Sequence, residues 1–329
     1  MTMDQLIAGF SNQLREAITI GKGAQLTPHN FPISNIVVTG LGGSGIGGDL
    51  VNEFIADELR IPFAVNKDYF LPSYVNKNSL VIVSSYSGNT EETLNALQIA
   101  LNRKSKIVCV SSGGKIIQIA KEKGLDHILV PGGNPPRASL GYSFVQQLFA
   151  LHYLGIIPNQ FEQELKNAIA LLDANQTAIR EEAKKVAVQL DNKIPIIYTT
   201  TPMASVAVRF RQQINENGKM LCWHHVVPEM NHNELVGWRK KSSDWAVVFL
   251  RNENDYSRNN QRIAINKEII SQYCDTIIDI NSKGNSHIER ALYLIHLTDW
   301  VSLFLAEQQK LDATEVKVID FLKNSLANV

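Results

Sequence analysis

The sequence predicts an α/β protein with two doubly wound units, each a parallel sheet with helices on both faces. Short β-branched runs that end in Gly, Ser or Asn alternate with longer helical patterns, which is typical of parallel strands joined by crossover helices. The alternation begins again after a long, alanine-rich, charged segment at 160–190. A chain of 329 residues also has the length of about two domains. We therefore expect an N-terminal domain at 1–155 and a C-terminal domain at 156–329.

The elements follow from these runs in order. An amphipathic helix is predicted over the first 20 residues. The first unit then has predicted strands at 35–41, 62–65, 80–85, 106–111 and 127–130, and predicted helices at 48–59, 91–103, 116–123 and 144–154. The second unit has predicted strands at 194–199, 220–227, 246–250 and 276–280, and predicted helices at 204–216, 260–273, 288–306 and 315–326.

The composition excludes several classes of partner. Thirty-two basic residues balance thirty-two acidic ones, which argues against a nucleic-acid binder or a polybasic membrane surface. The most apolar stretch, 292–306, is shorter than the roughly 20 residues of a membrane span, so we expect a buried core helix there. The few cysteines are widely spaced and the N-terminus lacks the basic region of a signal peptide. A reduced, cytoplasmic compartment is the simplest prediction.

A glycine-rich segment, GLGGSGIGGD at 40–49, directly follows the first predicted strand. Such a segment exposes backbone N–H groups at a helix N-terminus, where free donors and the helix dipole favour an anion. Gly42, Gly43 and Ser44 are the candidate contacts. Gly40 and Gly45 with Gly42 also fit a dinucleotide fingerprint, so a nicotinamide-dependent oxidoreductase stays open, although it leaves the next motif unexplained.

The third predicted strand ends in SSYSGNT at 84–90, immediately before a helix. Ser85, Ser87 and Thr90 can present hydroxyl groups to one phosphate, whereas a simple helix N-cap needs only one hydroxyl. Both motifs follow the carboxyl ends of parallel strands, where open α/β sheets bind their ligands. We therefore expect a phosphomonoester to be held by these three residues together with Ser44.

Together, the two motifs resemble those of the sugar isomerase (SIS) fold. Three further segments narrow the resemblance to the bifunctional phosphoglucose/phosphomannose isomerase family: PRASLGYSF at 136–144, NENGK at 215–219 and PEMNHNE at 228–234. The resemblance covers nearly the whole chain. It implies two flavodoxin-like SIS domains, the first with phosphate-binding loops and the second with a catalytic glutamate and histidine, in a homodimer. It also implies interconversion of glucose 6-phosphate, fructose 6-phosphate and mannose 6-phosphate without a metal or organic cofactor.

Candidate catalytic residues lie in the three narrower segments. Glu216 ends a predicted helix before an Asn-Gly stop signal, and the resemblance makes it the base that moves a proton between C2 and C1. Arg209 and Gln213 precede it at helical spacing and predict an available polar face. His232 lies in a polar loop, and imidazole titrates near neutral pH, which suits a ring-opening acid and base. The resemblance implies that His232 reaches the neighbouring subunit's site. Arg137, which follows two prolines, is the candidate cation for the enediolate.

Two residues near the C-terminus are site candidates only because of the resemblance. Lys323 matches a lysine that approaches the substrate, and Thr314 matches a threonine linked to accepting both C2 epimers. No metal site is predicted, because the adjacent His224 and His225 point to opposite faces of a strand. A non-catalytic SIS regulator that binds a sugar phosphate remains the alternative function, although such a protein would normally add a DNA-binding segment or keep only the phosphate loops.

Overall fold

The computed structural model describes residues 1–326, and within that range two separate sheets form, both parallel throughout. The strands are β1 (Asn35–Thr39), β2 (Phe63–Asn66), β3 (Ser79–Ser84), β4 (Lys106–Ser111), β5 (Asp126–Leu129), β6 (Ile194–Thr200), β7 (Trp223–Val227), β8 (Trp245–Arg251) and β9 (Ile277–Asn281). The first sheet has the order β2-β1-β3-β4-β5 and the second has the order β7-β6-β8-β9. The first order is that of flavodoxin-like sheets. The predicted α/β fold with two parallel-sheet units is confirmed.

Helices connect the strands and cover the sheets. They are α1 (Met3–Ala8), α2 (Phe10–Lys22), α3 (Gly42–Phe54), α4 (Glu91–Asn102), α5 (Gly114–Lys123), α6 (Leu140–Tyr153), α7 (Gln160–Leu190), α8 (Ala204–Glu216), α9 (Ser257–Ile270), α10 (His287–Gln308) and α11 (Lys317–Leu326). Every residue of β1 and β3 is buried, which explains the consecutive β-branched residues at the centre of each strand. None of the helices in residues 1–326 is both long and apolar enough to cross a membrane.

Two compact units divide the chain. One contains residues 8–174 and 283–293 and holds the first sheet; the other contains residues 1–7, 175–282 and the described residues from 294 onward, and holds the second sheet. The units are therefore discontinuous in sequence, and both α7 and α10 contribute to each of them. The continuous domains 1–155 and 156–329 stay a prediction.

Each unit has its own apolar core on its sheet. In the first unit, side chains from β3 and β4 pack with Leu97 of α4 and Ile116 of α5. In the second unit, Tyr198 of β6 and Phe249 of β8 pack with Ile263 of α9. Burial of apolar surface of this kind is the main favourable term in folding.

Where α3 begins is the main difference from the predicted elements. The sequence predicts a loop over the glycine motif and a helix at 48–59, whereas α3 already starts at Gly42 and ends at Phe54. Glycine disfavours helices in isolation. Here close packing decides, because a Cβ at Gly45 would lie 2.6 Å from the carbonyl oxygen of Gly40. The glycines therefore form the first turns of the helix and let them lie close to the end of β1.

Candidate active site

The two motifs predicted to bind phosphate meet in the first unit. Ser44 lies in the first turn of α3, and its Oγ accepts a hydrogen bond of 3.2 Å from the backbone N–H of Tyr86. This bond joins the segment after β1 to the loop after β3. The two strands are neighbours at the position where the strand order reverses, which is where open α/β sheets form ligand sites. We call Ser44, Ser85, Ser87 and Thr90 the hydroxyl cradle.

In the loop after β3, hydroxyl oxygens accept hydrogen bonds from the loop's own backbone. Ser85 Oγ accepts from the N–H of Gly88 at 3.2 Å, and Ser87 Oγ accepts from the N–H of Asn89 at 3.3 Å. A serine oxygen that accepts a bond keeps its own proton for donation. The loop geometry therefore leaves hydroxyl protons to donate to an anion.

Thr90 occupies the N-cap position of α4 but makes no capping hydrogen bond. Its Oγ1 instead lies 2.9 Å from Ser85 Oγ, where only one of the two hydroxyls can donate to the other. One proton of this pair is therefore left over, whichever residue donates. The simple capping role, which the sequence left open for this threonine, does not describe its side chain.

The loop after β4 packs against the loop after β3, which carries most of the cradle. Gly88 has a left-handed φ of +69°, and a Cβ there would collide with the carbonyl oxygen of Gly113 in the loop after β4. Ser112 in that loop donates to the carbonyl oxygen of Tyr86 from its N–H at 3.0 Å and from its Oγ at 2.6 Å. Glycine is thus required at position 88, and the backbone of Tyr86 is bonded on both sides.

Arg137 lies in a single 3-10 turn, Pro136–Ala138, and is only 4% exposed. A Cβ built at Gly43 would lie 3.0 Å from the carbonyl oxygen of Pro136 and 3.8 Å from the Cα of Arg137. The arginine backbone is therefore packed directly against the predicted anion contact. The structure brings together Gly42, Gly43, Ser44 and Arg137 around the start of α3, beside the loop after β3.

Two side chains that the sequence reasoning missed hold the segment around Arg137. The hydroxyl oxygen of Tyr86 accepts a hydrogen bond of 3.2 Å from the N–H of Asn134. Gln13 of α2 donates from Nε2 to the carbonyl oxygen of Ala138 at 2.7 Å, and its Oε1 accepts from the N–H of Gly141 at 2.8 Å. Tyr86 stands inside a motif and could have been found there, but nothing local in the sequence marks Gln13.

In the second unit, Glu216 is the last residue of α8, as predicted, and is half-buried. The following Asn217 is buried and donates from Nδ2 to Ser302 Oγ of α10 at 3.0 Å. Lys219 Nζ donates to the carbonyl oxygens of Glu216 at 2.6 Å and Glu315 at 2.5 Å. The turn after the candidate base is therefore attached both to α10 and to the segment that precedes α11.

The polar face predicted on α8 is not available to solvent. Arg209 forms a 2.6 Å ion pair with Asp299 of α10, and both side chains are buried. Burial raises the pKa of Asp299 above its ordinary value, against the opposing effect of the Arg209 guanidinium. Gln213, one turn further along α8, is buried as well. The spacing of these residues predicted a polar face correctly, but the face packs inside the unit.

His232 ends a short 3-10 turn, Glu229–His232, that follows β7 and is exposed. The residues on either side are fixed, since Asn231 donates from Nδ2 to Asn266 Oδ1 at 2.6 Å and Asn233 donates from Nδ2 to Glu229 Oε1 at 2.8 Å. The turn therefore presents the imidazole to solvent on a well-anchored backbone.

The two candidates near the C-terminus are also exposed. Thr314 lines an open groove of about 720 Å³ with residues 1–5 and the end of α10, and its N–H donates to Asp312 Oδ1 at 2.7 Å. Lys323 lies on α11, which has no buried residue. Thr314 is next to Glu315 and so belongs to the segment that Lys219 joins to Glu216. Lys323 and His232 lie on separate exposed elements.

No cluster of three or more His, Cys, Asp or Glu side chains in residues 1–326 is placed to hold a metal ion. His224 and His225 are neighbours on β7. Burial lowers the pKa of His224 to about 4, and Arg211 and His225 add to this effect. His224 is therefore neutral at physiological pH.

Comparison with known proteins places this chain in the class of SIS proteins. Residues 32–157 match the family described as SIS domain, and residues 179–326 match the bacterial phospho-glucose isomerase C-terminal SIS domain. The C-terminal domain of glucosamine-fructose-6-phosphate aminotransferase from Francisella tularensis has a similar fold, with a TM-score of 0.74. That match covers 95% of this chain and 98% of the other at 13% identity, and shows the fold alone.

Full-length relatives then give the family. A bifunctional phosphoglucose/phosphomannose isomerase from Caldicellulosiruptor bescii is 41% identical, over 99% of this chain and 99% of the relative. The protein of the same name from Aquifex aeolicus is 37% identical, over 98% of this chain and 97% of the relative. The chain belongs to the bifunctional phosphoglucose/phosphomannose isomerase family, as its motifs predicted.

Proposed function

We propose that this protein is an aldose–ketose isomerase that interconverts glucose 6-phosphate and fructose 6-phosphate, and also accepts mannose 6-phosphate. The observation that carries the proposal is the hydroxyl cradle. Ser44, Ser85 and Ser87 accept bonds from backbone N–H groups, and one proton of the Ser85 and Thr90 pair is left over, so hydroxyl protons are available to a phosphate. Family membership adds support, since the named relatives are bifunctional isomerases. The substrate is thus a hexose with a 6-phosphate anchor.

The reaction needs only proton transfers, so the proposed mechanism uses no metal or organic cofactor. After His232 opens the sugar ring, the carboxylate of Glu216 removes the proton from C2 of the aldose and a cis-enediolate forms. The same group returns a proton to C1 while the hydroxyl proton moves from O2 to O1, which leaves the ketose. Glucose and mannose 6-phosphates differ only in configuration at C2, so both lead to the same enediolate.

Other residues have supporting roles in this proposal. Arg137 stabilises the negative charge of the enediolate, as a preorganised guanidinium can. Lys323 approaches the substrate, and Thr314 sets the tolerance for both epimers. Gly42 and Gly43 add the first-turn positions of α3 to the phosphate site, where the helix dipole favours an anion.

A homodimer is part of the proposal, because His232 then serves the site of the neighbouring subunit. Its exposure on an anchored turn supports this role. The apolar side chains that α11 leaves exposed, including Phe321 at 73%, support a surface that a second copy covers. The three unpaired cysteines support a reduced, cytoplasmic compartment.

The test is a coupled assay that starts from fructose 6-phosphate and measures glucose 6-phosphate and mannose 6-phosphate separately, with and without a chelator. We expect turnover to both products that survives the chelator and falls at least about a hundredfold in Glu216→Gln, as for loss of a general base. Glu181→Gln, at an exposed position of α7, is the matched control and keeps full activity. Binding of fructose 6-phosphate without turnover would favour the non-catalytic regulator, and unchanged turnover in Glu216→Gln would remove Glu216 from the mechanism.

A further inference from the structure

We infer that Tyr86 is a positioning residue that holds Arg137 in a fixed place relative to the hydroxyl cradle. The inference rests on the proposed function and assigns a residue to that same site. Tyr86 lies within the loop after β3, between Ser85 and Ser87, but is not itself part of the cradle. Its backbone bonds to Ser44 of the cradle, and its side chain bonds to the segment that contains Arg137.

The backbone of Tyr86 is bonded to two other segments, the first turn of α3 and the loop after β4. Its N–H donates to Ser44 Oγ at 3.2 Å, so the direction of that peptide group sets which lone pair of the Ser44 hydroxyl is occupied. Its carbonyl oxygen accepts from Ser112 Oγ at 2.6 Å and from the N–H of the same residue at 3.0 Å. Because both the N–H and the carbonyl group of Tyr86 are bonded, the position of its Cα is fixed, and so is the direction in which the side chain leaves the backbone.

The side chain then reaches the segment of Arg137. The hydroxyl oxygen accepts from the N–H of Asn134 at 3.2 Å. Pro135 and Pro136 follow directly, and their rings fix φ near −65° and stiffen the connection to Arg137. A shift of Asn134 is therefore passed along the chain to the arginine instead of being absorbed by a flexible linker.

Gln13 fixes the other side of the same segment, through the carbonyl oxygen of Ala138 and the N–H of Gly141. The single 3-10 turn that carries Arg137 is thus held at both ends by side chains from outside it. Arg137 is buried, so its side chain has little room to compensate for a shift of the backbone that carries it. Of the two anchors, only Tyr86 also contacts the cradle, so it is the residue through which phosphate binding and enediolate stabilisation are linked.

The test uses Tyr86→Phe, which removes one oxygen and keeps the ring. We expect kcat on fructose 6-phosphate to fall about two- to tenfold, the loss typical of one hydrogen bond. The KM and the inhibition constant for inorganic phosphate change less than twofold, because the cradle is bonded to the backbone of Tyr86 and not to its hydroxyl. Tyr153→Phe is the matched control, since its hydroxyl also makes one bond to backbone, to the carbonyl oxygen of Lys22 at 3.3 Å.

A double-mutant cycle separates positioning from a general structural role. In the Arg137→Ala background, Tyr86→Phe lowers kcat by less than twofold more, because the residue it positions is gone. Equal losses in both backgrounds, a rise in the phosphate inhibition constant, or an unchanged kcat in the single variant would each overturn the inference. Wild-type protein that binds fructose 6-phosphate but does not turn it over would instead overturn the proposed function, and the role of Tyr86 with it.

Discussion

The paired hydroxyls of Ser85 and Thr90 lead to a prediction about substrate affinity. Their oxygens are 2.9 Å apart and share one hydrogen bond, so one proton of the pair is left for the substrate phosphate. In Ser85→Ala the threonine hydroxyl can donate, and in Thr90→Val the serine hydroxyl can donate. Each single variant therefore keeps one donor, whereas the double variant keeps none.

The expected magnitude follows from this count of donors. A hydrogen bond to a charged acceptor contributes about 1.5–3 kcal/mol, which corresponds to a factor of about 10 to 150 in affinity. We expect each single variant to weaken binding of fructose 6-phosphate by less than about threefold, and the double variant to weaken it by about 10- to 150-fold. Ser44→Ala has no neighbouring hydroxyl to replace it and should resemble the double variant.

The assay is steady-state kinetics with fructose 6-phosphate together with inhibition by inorganic phosphate, for the wild type, both single variants and the double variant. Ser105→Ala is a matched control, because Ser105 Oγ donates to the carbonyl oxygen of Asn76 in the same unit. Thermal unfolding is followed as well, since Ser85→Ala also removes one of the two acceptors of the Gly88 N–H and leaves the carbonyl oxygen of residue 85. Large single effects that multiply to give the double effect would mean two independent donors and would refute the shared proton.

Two further predictions concern stability. Hydrogen bonds from Lys166 and Lys22 hold the pKa of Glu162 at about 2, below its ordinary 4.5. This carboxylate therefore stabilises the fold above pH 4.5 and loses its effect as the pH falls through 2. In urea unfolding, Glu162→Gln should be less stable than the wild type by up to about 1 kcal/mol at pH 6, and the difference should shrink towards zero as the pH falls to about 2 and below. A difference that does not vary with pH would contradict this. Arg209→Met leaves the Asp299 carboxyl buried opposite an apolar side chain and should lower the free energy of unfolding by about 3–5 kcal/mol. The double variant, Arg209→Met with Asp299→Leu, should lose less, because no charge is left unpaired. Thermal unfolding that shows the double variant to be less stable than Arg209→Met would contradict this prediction.

The sequence predicted the sheets well because buried parallel strands have a strong local signature. Short apolar runs that contain consecutive β-branched residues marked β1, β3 and β8. An Asn-Gly stop signal placed the end of α8 at Glu216. The start of α3 was not predictable in this way. Glycine-rich segments disfavour helix locally, and only the packing against β1 makes them helical.

The candidate site shows the same limit. The motifs identify the hydroxyl cradle because Ser85, Ser87 and Thr90 lie in one short loop and Ser44 lies in a glycine-rich motif after the first strand. Gln13 and Tyr86 act instead on backbone atoms of a distant segment, and no residue type at either end marks that pairing. The burial of Arg209 against Asp299 likewise depends on how α8 and α10 pack, which periodicity along one helix cannot show.

Lys219 holds the turn after Glu216 in the second unit mainly through main-chain oxygens, whereas the proposed chemistry uses the Glu216 side chain. Its ammonium group donates to the main-chain carbonyl oxygens of residues 216 and 315, and it also lies 3.9 Å from the carboxylate of Glu315. The bond to position 216 is made to its main chain, so Glu216→Gln keeps this attachment of the turn to the segment before α11. The proposed base can therefore be replaced while this main-chain attachment remains, whereas truncation of Lys219 removes the attachment and leaves the base.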